Sequence, residues 1–134
     1  MSHLLPQFPG LLPKWMLFVS SMAVFNAVQN LTTVSLTRRI YSAQPSLVSP
    51  LSARTFGTWT FLSAIVRLYC AYNITEKTIY DVTLWSYAIV IFHFGSEWLY
   101  FRTASPGAGL LSPVIIGSIS FFWMFAQRDY YLGL

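Results

Sequence analysis

The chain has 134 residues, of which 55% are hydrophobic and only 9% charged, with a formal net charge of +4. So short a chain cannot wrap a soluble shell around that much apolar sequence, so the composition excludes an ordinary water-soluble domain and points to lipid as the solvent. The eight basic residues are spread over segment ends and loops with no basic run, which argues against a nucleic-acid partner and fits anchoring at a membrane surface.

The first 14 residues carry Pro6, Pro9 and Pro13, which argue against a long regular helix there. Pro13-Lys14-Trp15 then supplies an entry turn, a charge and an interfacial ring. The first apolar segment runs from about 15 to 37. It is too long for the core of a cleaved signal peptide, holds Asn26 and Gln29, and lacks a small-x-small site at its end, so it is expected to stay as an anchor. A loop over 38–52 with Arg38, Arg39, Tyr41, Pro45 and Pro50 follows.

The second segment, 53–72, has about the 20 residues that a bilayer crossing needs, yet carries Arg54 and Arg67. The link 73–78 is so short that the second and third helices must be antiparallel neighbours. The third segment covers 79–101. Ser105-Pro106-Gly107-Ala108-Gly109 separates it from the fourth, 110–126, which sits at the short end of the spanning range.

In lipid every backbone polar group must bond within its own helix or a closed barrel, and no period-2 alternation favours a barrel. The expected fold is an all-α membrane protein: one domain over 1–134 forming a four-helix transmembrane bundle. Both ends of the chain and the second loop should share one side, with the first and third loops opposite. Arg38, Arg39, Arg54 and Arg102 against Lys14, Lys77 and Arg128 give a slight positive-inside lean toward cytosolic first and third loops. Trp15, Tyr69, Tyr72, Tyr80, Trp98, Tyr100, Tyr130 and Tyr131 lie near segment ends, where rings favour the headgroup layer.

Polar groups inside spanning segments are costly and need a reason. Here they are Asn26, Gln29, Arg67, His93 and Glu97. Arg67 lies about 7–8 Å below the end of its helix by the helical rise, near the second loop. Glu97 lies at the opposite end, so the two cannot pair within one subunit. Arg54 or Arg102 suits Glu97, with Arg54–Glu97 the expected pair. Asp81 or snorkelling suits Arg67. His93 and Glu97 share a helix face four residues apart. That spacing allows an acid–base couple, and equally a buried contact, to Asn26 for example, that fixes helix packing. Ala23 with Ala27, and Ala53 with Gly57, are small-xxx-small pairs that let helices approach, within the chain or toward a partner.

Nothing points to a cofactor. His3 and His93 are too few histidines for a di-iron site, no metal-ligand cluster occurs, and there is no phosphate-cradling glycine loop or GxSxG elbow. The single cysteine, Cys70, reads as a packed thiol, with palmitoylation the alternative. The triplets Asn30-Leu31-Thr32 and Asn73-Ile74-Thr75 read as chance glycosylation matches in or against the membrane.

The stretch Leu51-Ser52-Ala53-Arg54-Thr55-Phe56-Gly57-Thr58-Trp59-Thr60-Phe61 resembles the hallmark of the ergosterol biosynthetic protein 28 family. Leu12-Pro13-Lys14-Trp15, Phe25-Asn26 with Gln29, Leu36-Thr37-Arg38 with Tyr41, Phe92-His93-Phe94-Gly95-Ser96-Glu97, Phe101-Arg102-Thr103 and Gln127-Arg128-Asp129-Tyr130-Tyr131 extend the resemblance over nearly the whole chain. It implies a non-enzymatic scaffold of the endoplasmic-reticulum membrane. The implied partners are a sterol C-4 methyl oxidase, a 3β-hydroxysteroid dehydrogenase/C-4 decarboxylase and a 3-keto sterol reductase, with self-association into a homo-oligomer and contact with membrane lipid, sterol included. Its polar motif residues correspond here to Arg54, His93, Glu97 and Arg102, and Trp59 lies in the same hallmark. Two alternatives stand beside it: a small dimeric transporter, and a sterol-modifying enzyme using His93 and Glu97.

Overall fold

The computed structural model describes Pro6 and residues 10–134. Pro9 and His3, invoked above, lie outside the described residues. The described chain is helical, with α1 at Leu12–Thr32, α2 at Ser35–Ile40, a 3-10 turn at Pro45–Leu47, α3 at Pro50–Tyr72, α4 at Lys77–Leu99, α5 at Ala108–Ala126 and α6 at Arg128–Leu132.

The first segment is not one helix to residue 37. It stops at Thr32, Thr33 is extended (φ −148°, ψ 152°), and α2 restarts at Ser35. The β-branched run Thr32-Thr33-Val34 is the physical cause, because such side chains lose rotamer freedom against the preceding turn. The Thr32 hydroxyl also turns back on the Val28 and Gln29 carbonyls, both at 3.1 Å. Asn30 then bridges the gap. It donates to Asn26 O at 2.9 Å and accepts the Thr37 hydroxyl of α2.

The other long helices follow the sequence to within three residues. α3 begins early because Ser49 and Ser52 form a reciprocal capping box, at 3.0 and 2.8 Å, with Pro50 in the first turn. Asn73 closes α3 by donating to Tyr69 O at 2.9 Å, and Glu76 N–H bonds Asn73 O at 3.0 Å to turn the chain into α4. α4 ends in a tight reversal. Thr103 N–H and Ala104 N–H fold back on the Glu97 carbonyl, and Arg102 takes a left-handed conformation at φ 57°.

The four long helices pack as two close antiparallel pairs, α1 with α3 and α4 with α5. The first seam uses the expected small residues. A Cβ added to Gly57 would lie 3.0 Å from the Ala27 carbonyl oxygen, and Ala27, Ala53 and Ala64 are buried. α2 is locked to α5 at Gly109, where an added Cβ would meet the Arg39 carbonyl at 2.7 Å.

The buried apolar core falls into two clusters. One, at the end of the bundle shared by the start of α1, the α3–α4 turn and α6, contains Leu12, Met16, Cys70, Ile74, Tyr80 and Tyr131. The other, at the α2 and third-loop end, contains Ile40, Phe94, Ala104 and Leu110. Leu12 N–H reaches the Tyr131 hydroxyl at 3.3 Å, while Ser42 and Ser105 bond at 2.6 Å across the opposite end. The two sides therefore group the loops as the topology requires. Two rings expected at the rim are instead interior. Tyr80 is buried and donates to Met124 O at 2.5 Å, and Tyr131 closes the core beneath it.

Among the described residues one helix, over Gly109–Ala126, is long and apolar enough to cross a membrane by length and composition.

Candidate functional site

Two concave regions collect the polar residues. The first is a cavity of about 390 Å³ between the two helix pairs. Asn26 and Gln29 come from α1, Thr60, Ser63 and Arg67 from α3, and the remaining wall is mostly apolar. Thr60, Ser63 and Arg67 share one face of α3 at i, i+3 and i+7 spacing. Arg67 is 7% exposed, so it does not snorkel to the surface. Its guanidinium stacks 4.2 Å from the Tyr87 ring centre and makes long bonds, 3.3 and 3.5 Å, to Ser86 on α4. Asp81, the other partner considered for it, is held elsewhere. Arg128 grips both of its carboxylate oxygens at 2.8 and 3.0 Å, tying α6 to α4. This bond holds the half-buried Arg128 guanidinium above its usual range.

The second region is an open groove at the α2 end, lined by Tyr41, Trp59, His93, Glu97 and Thr103 among others. His93 Nε2 and the Tyr41 hydroxyl are 2.6 Å apart, and the Trp59 ring packs on the imidazole at 5.1 Å between centres. Burial, and after it the Glu97 carboxylate, push the Tyr41 phenol above its usual range. Glu97 accepts the Thr103 hydroxyl.

The expected Arg54–Glu97 pair does not form. Arg54 is on the exposed face of α3, and Glu97 turns instead to Thr103 in the reversal that follows its own helix. Arg102 is likewise exposed and belongs to the backbone of that reversal rather than to an ion pair. His93 finds Tyr41 rather than Asn26, which is bonded to Asn30 at 2.6 Å. Gly57 sits in the α1–α3 seam, and Trp59 bridges the two concave regions.

Sequence reasoning missed Tyr87, Ser86 and Asn30. The short link at 73–78 makes α3 and α4 neighbours but does not say which residues of their faces meet, so the Arg67–Tyr87 contact was not announced. The Thr60-Ser63-Arg67 spacing, a polar face on an apolar helix, is the signal that could have marked this cavity and was missed as well.

A family model described as Erg28 like protein matches residues 12–122. The chain belongs to this family. It is 50% identical to ergosterol biosynthetic protein 28 of Candida albicans over 92% of this chain and 90% of the relative. With the Saccharomyces cerevisiae protein of that name it shares 45% identity, over 93% of this chain and 85% of the relative. The Schizosaccharomyces pombe protein is 46% identical, over 100% of this chain and 98% of the relative. No solved structure matches the chain.

Proposed function

We propose that this chain is a non-catalytic scaffold of the endoplasmic-reticulum membrane that tethers the sterol C-4 demethylation enzymes in ergosterol biosynthesis. The family it belongs to, with relatives named for ergosterol biosynthesis, supports the pathway. One observation carries the physical part: large apolar side chains face outward along every long helix. Phe18 and Phe25 on α1, Leu62 on α3, Trp85 and Phe92 on α4, and Phe122 and Phe125 on α5 are each at least 58% exposed. A water-soluble monomer does not carry an apolar belt of this extent, whereas lipid and neighbouring membrane helices accept it. On this reading all four long helices lie in the bilayer. Lipid covers part of the belt, and a second copy and the partner enzymes cover the rest.

The partners are the C-4 methyl oxidase, the 3β-hydroxysteroid dehydrogenase/C-4 decarboxylase and the 3-keto sterol reductase. Co-tethering raises the local concentration at which each enzyme meets the product of the one before, without new chemistry in the tether. Purification of the chain in mild detergent should recover these enzymes together. Its deletion should leave each enzyme individually competent while C-4-methylated intermediates accumulate. Unchanged flux after deletion refutes the function.

The Tyr41–His93 bond beside Glu97 favours a second reading, a sterol-modifying enzyme. Conversion of a sterol by the purified chain alone would establish it.

A further inference from the structure

Arg67 has no carboxylate partner among the described residues, although it is more than nine-tenths buried and lines a cavity. A guanidinium offers five donors and stays charged under all ordinary conditions. Ser86 and the Tyr87 ring engage one side of it, and the bonds to Ser86 are long. A buried cation so thinly compensated is costly unless something else supplies negative charge. The cavity before it has a volume of about 390 Å³, within the range of roughly 300–1,000 Å³ common for small-molecule sites. Its lining is predominantly apolar, with most of the polar groups on α1 and α3. The exposed residues Met22, Phe25 and Ser112 lie on its border, so it opens sideways between α1 and α5.

We infer that this cavity binds an acidic amphiphile, a single carboxylate on a compact apolar body of sterol type, with the carboxylate on Arg67. Three features select that chemistry. A lone guanidinium carries one positive charge and matches one carboxylate, of one negative charge, as a two-pronged fork. Ser63, one turn of α3 from Arg67, and Thr60, a further turn along the same face, line the cavity with hydroxyl oxygens for a further polar group on the ligand, Thr60 as acceptor since it donates to Phe56 O. The cavity volume of about 390 Å³ suits one compact apolar body. The carboxylate rests on Arg67 and the cavity alone. The sterol body rests on the proposed function, since a methyl group that is oxidised and then lost by decarboxylation must pass through a carboxylate.

The test uses the full chain in lipid nanodiscs and three labelled probes: a sterol with a ring carboxylate, the same sterol with a methyl in its place, and oleate. Equilibrium binding is measured for each. The carboxylated sterol should bind at least tenfold more tightly than the methyl sterol and than oleate. Arg67→Met should abolish the preference over the methyl sterol, read as the ratio of the two affinities within that variant. Arg67→Lys should keep only part of it, because a point charge lacks the fork, and it serves should Arg67→Met fail to fold. Equal binding of the two sterols to the native chain, or a preference that survives both substitutions, overturns the inference. Oleate binding as tightly as the carboxylated sterol overturns the sterol body. Co-purification of the enzymes is read separately, so loss of tethering and loss of ligand preference remain distinct results.

Discussion

Thr37 donates its hydroxyl to Asn30 Oδ1 across the break between α1 and α2, and both side chains are buried. The bond holds the short second helix in line where the backbone ladder is interrupted. Asn30→Ala removes the acceptor and leaves a buried hydroxyl unpaired. The expected loss is about 1–3 kcal/mol, read as a lower melting temperature in detergent. The double variant with Thr37→Val should recover part of it, because the orphaned hydroxyl is then gone.

Gly57 and Gly95 make a matched pair of controls. A Cβ at Gly57 would press on the Ala27 carbonyl at 3.0 Å and on Leu31 at 3.1 Å, while one at Gly95 meets nothing within 4 Å. Gly57→Ala should therefore destabilise by about 1–3 kcal/mol through overpacking. Gly95→Ala should be neutral, or stabilising by up to about 1 kcal/mol, because alanine is the better helix former. Thermal unfolding of the two variants side by side checks both.

Tyr41 gives a signed pH effect. Its phenol is held above its usual range by burial and then by Glu97, so the folded state favours the neutral form. This contribution is fully present below the unfolded value of about pH 10 and is lost as pH rises through the higher folded value. Native stability should fall more steeply above that pH than stability of Tyr41→Phe, as followed by helical circular dichroism against pH. Parallel curves would contradict the assignment.

The groove residues separate scaffold from enzyme. If His93 serves packing through Tyr41, His93→Gln and Glu97→Gln should retain most sterol flux and all enzyme co-purification in cells. A loss of flux of a hundredfold with co-purification intact would instead assign chemistry to the groove.

Helix order, the antiparallel topology and the small-residue seam were readable because they are local. Apolar length, the short link at 73–78 and the alanine–glycine spacing each act within one or two neighbouring segments. The break at Thr33 was not readable, since three β-branched residues in an apolar run look like more of the same run. Partner choice was the least legible. Asp81 could have faced Arg67 by depth alone, but α6 turns back and brings Arg128 to it from 47 positions away. Glu97 likewise found its partner in the reversal after its own helix, whose left-handed Arg102 carries no sequence mark such as glycine.

The hydrogen bond from the Leu12 amide to the Tyr131 hydroxyl has a practical corollary for tagging. Leu12 and Tyr131 thus mark one end of the bundle, so tags fused ahead of one and behind the other start from that same end. Complementary halves of a split fluorescent reporter placed there should light up within one molecule, giving a direct optical readout of whether the bundle has closed.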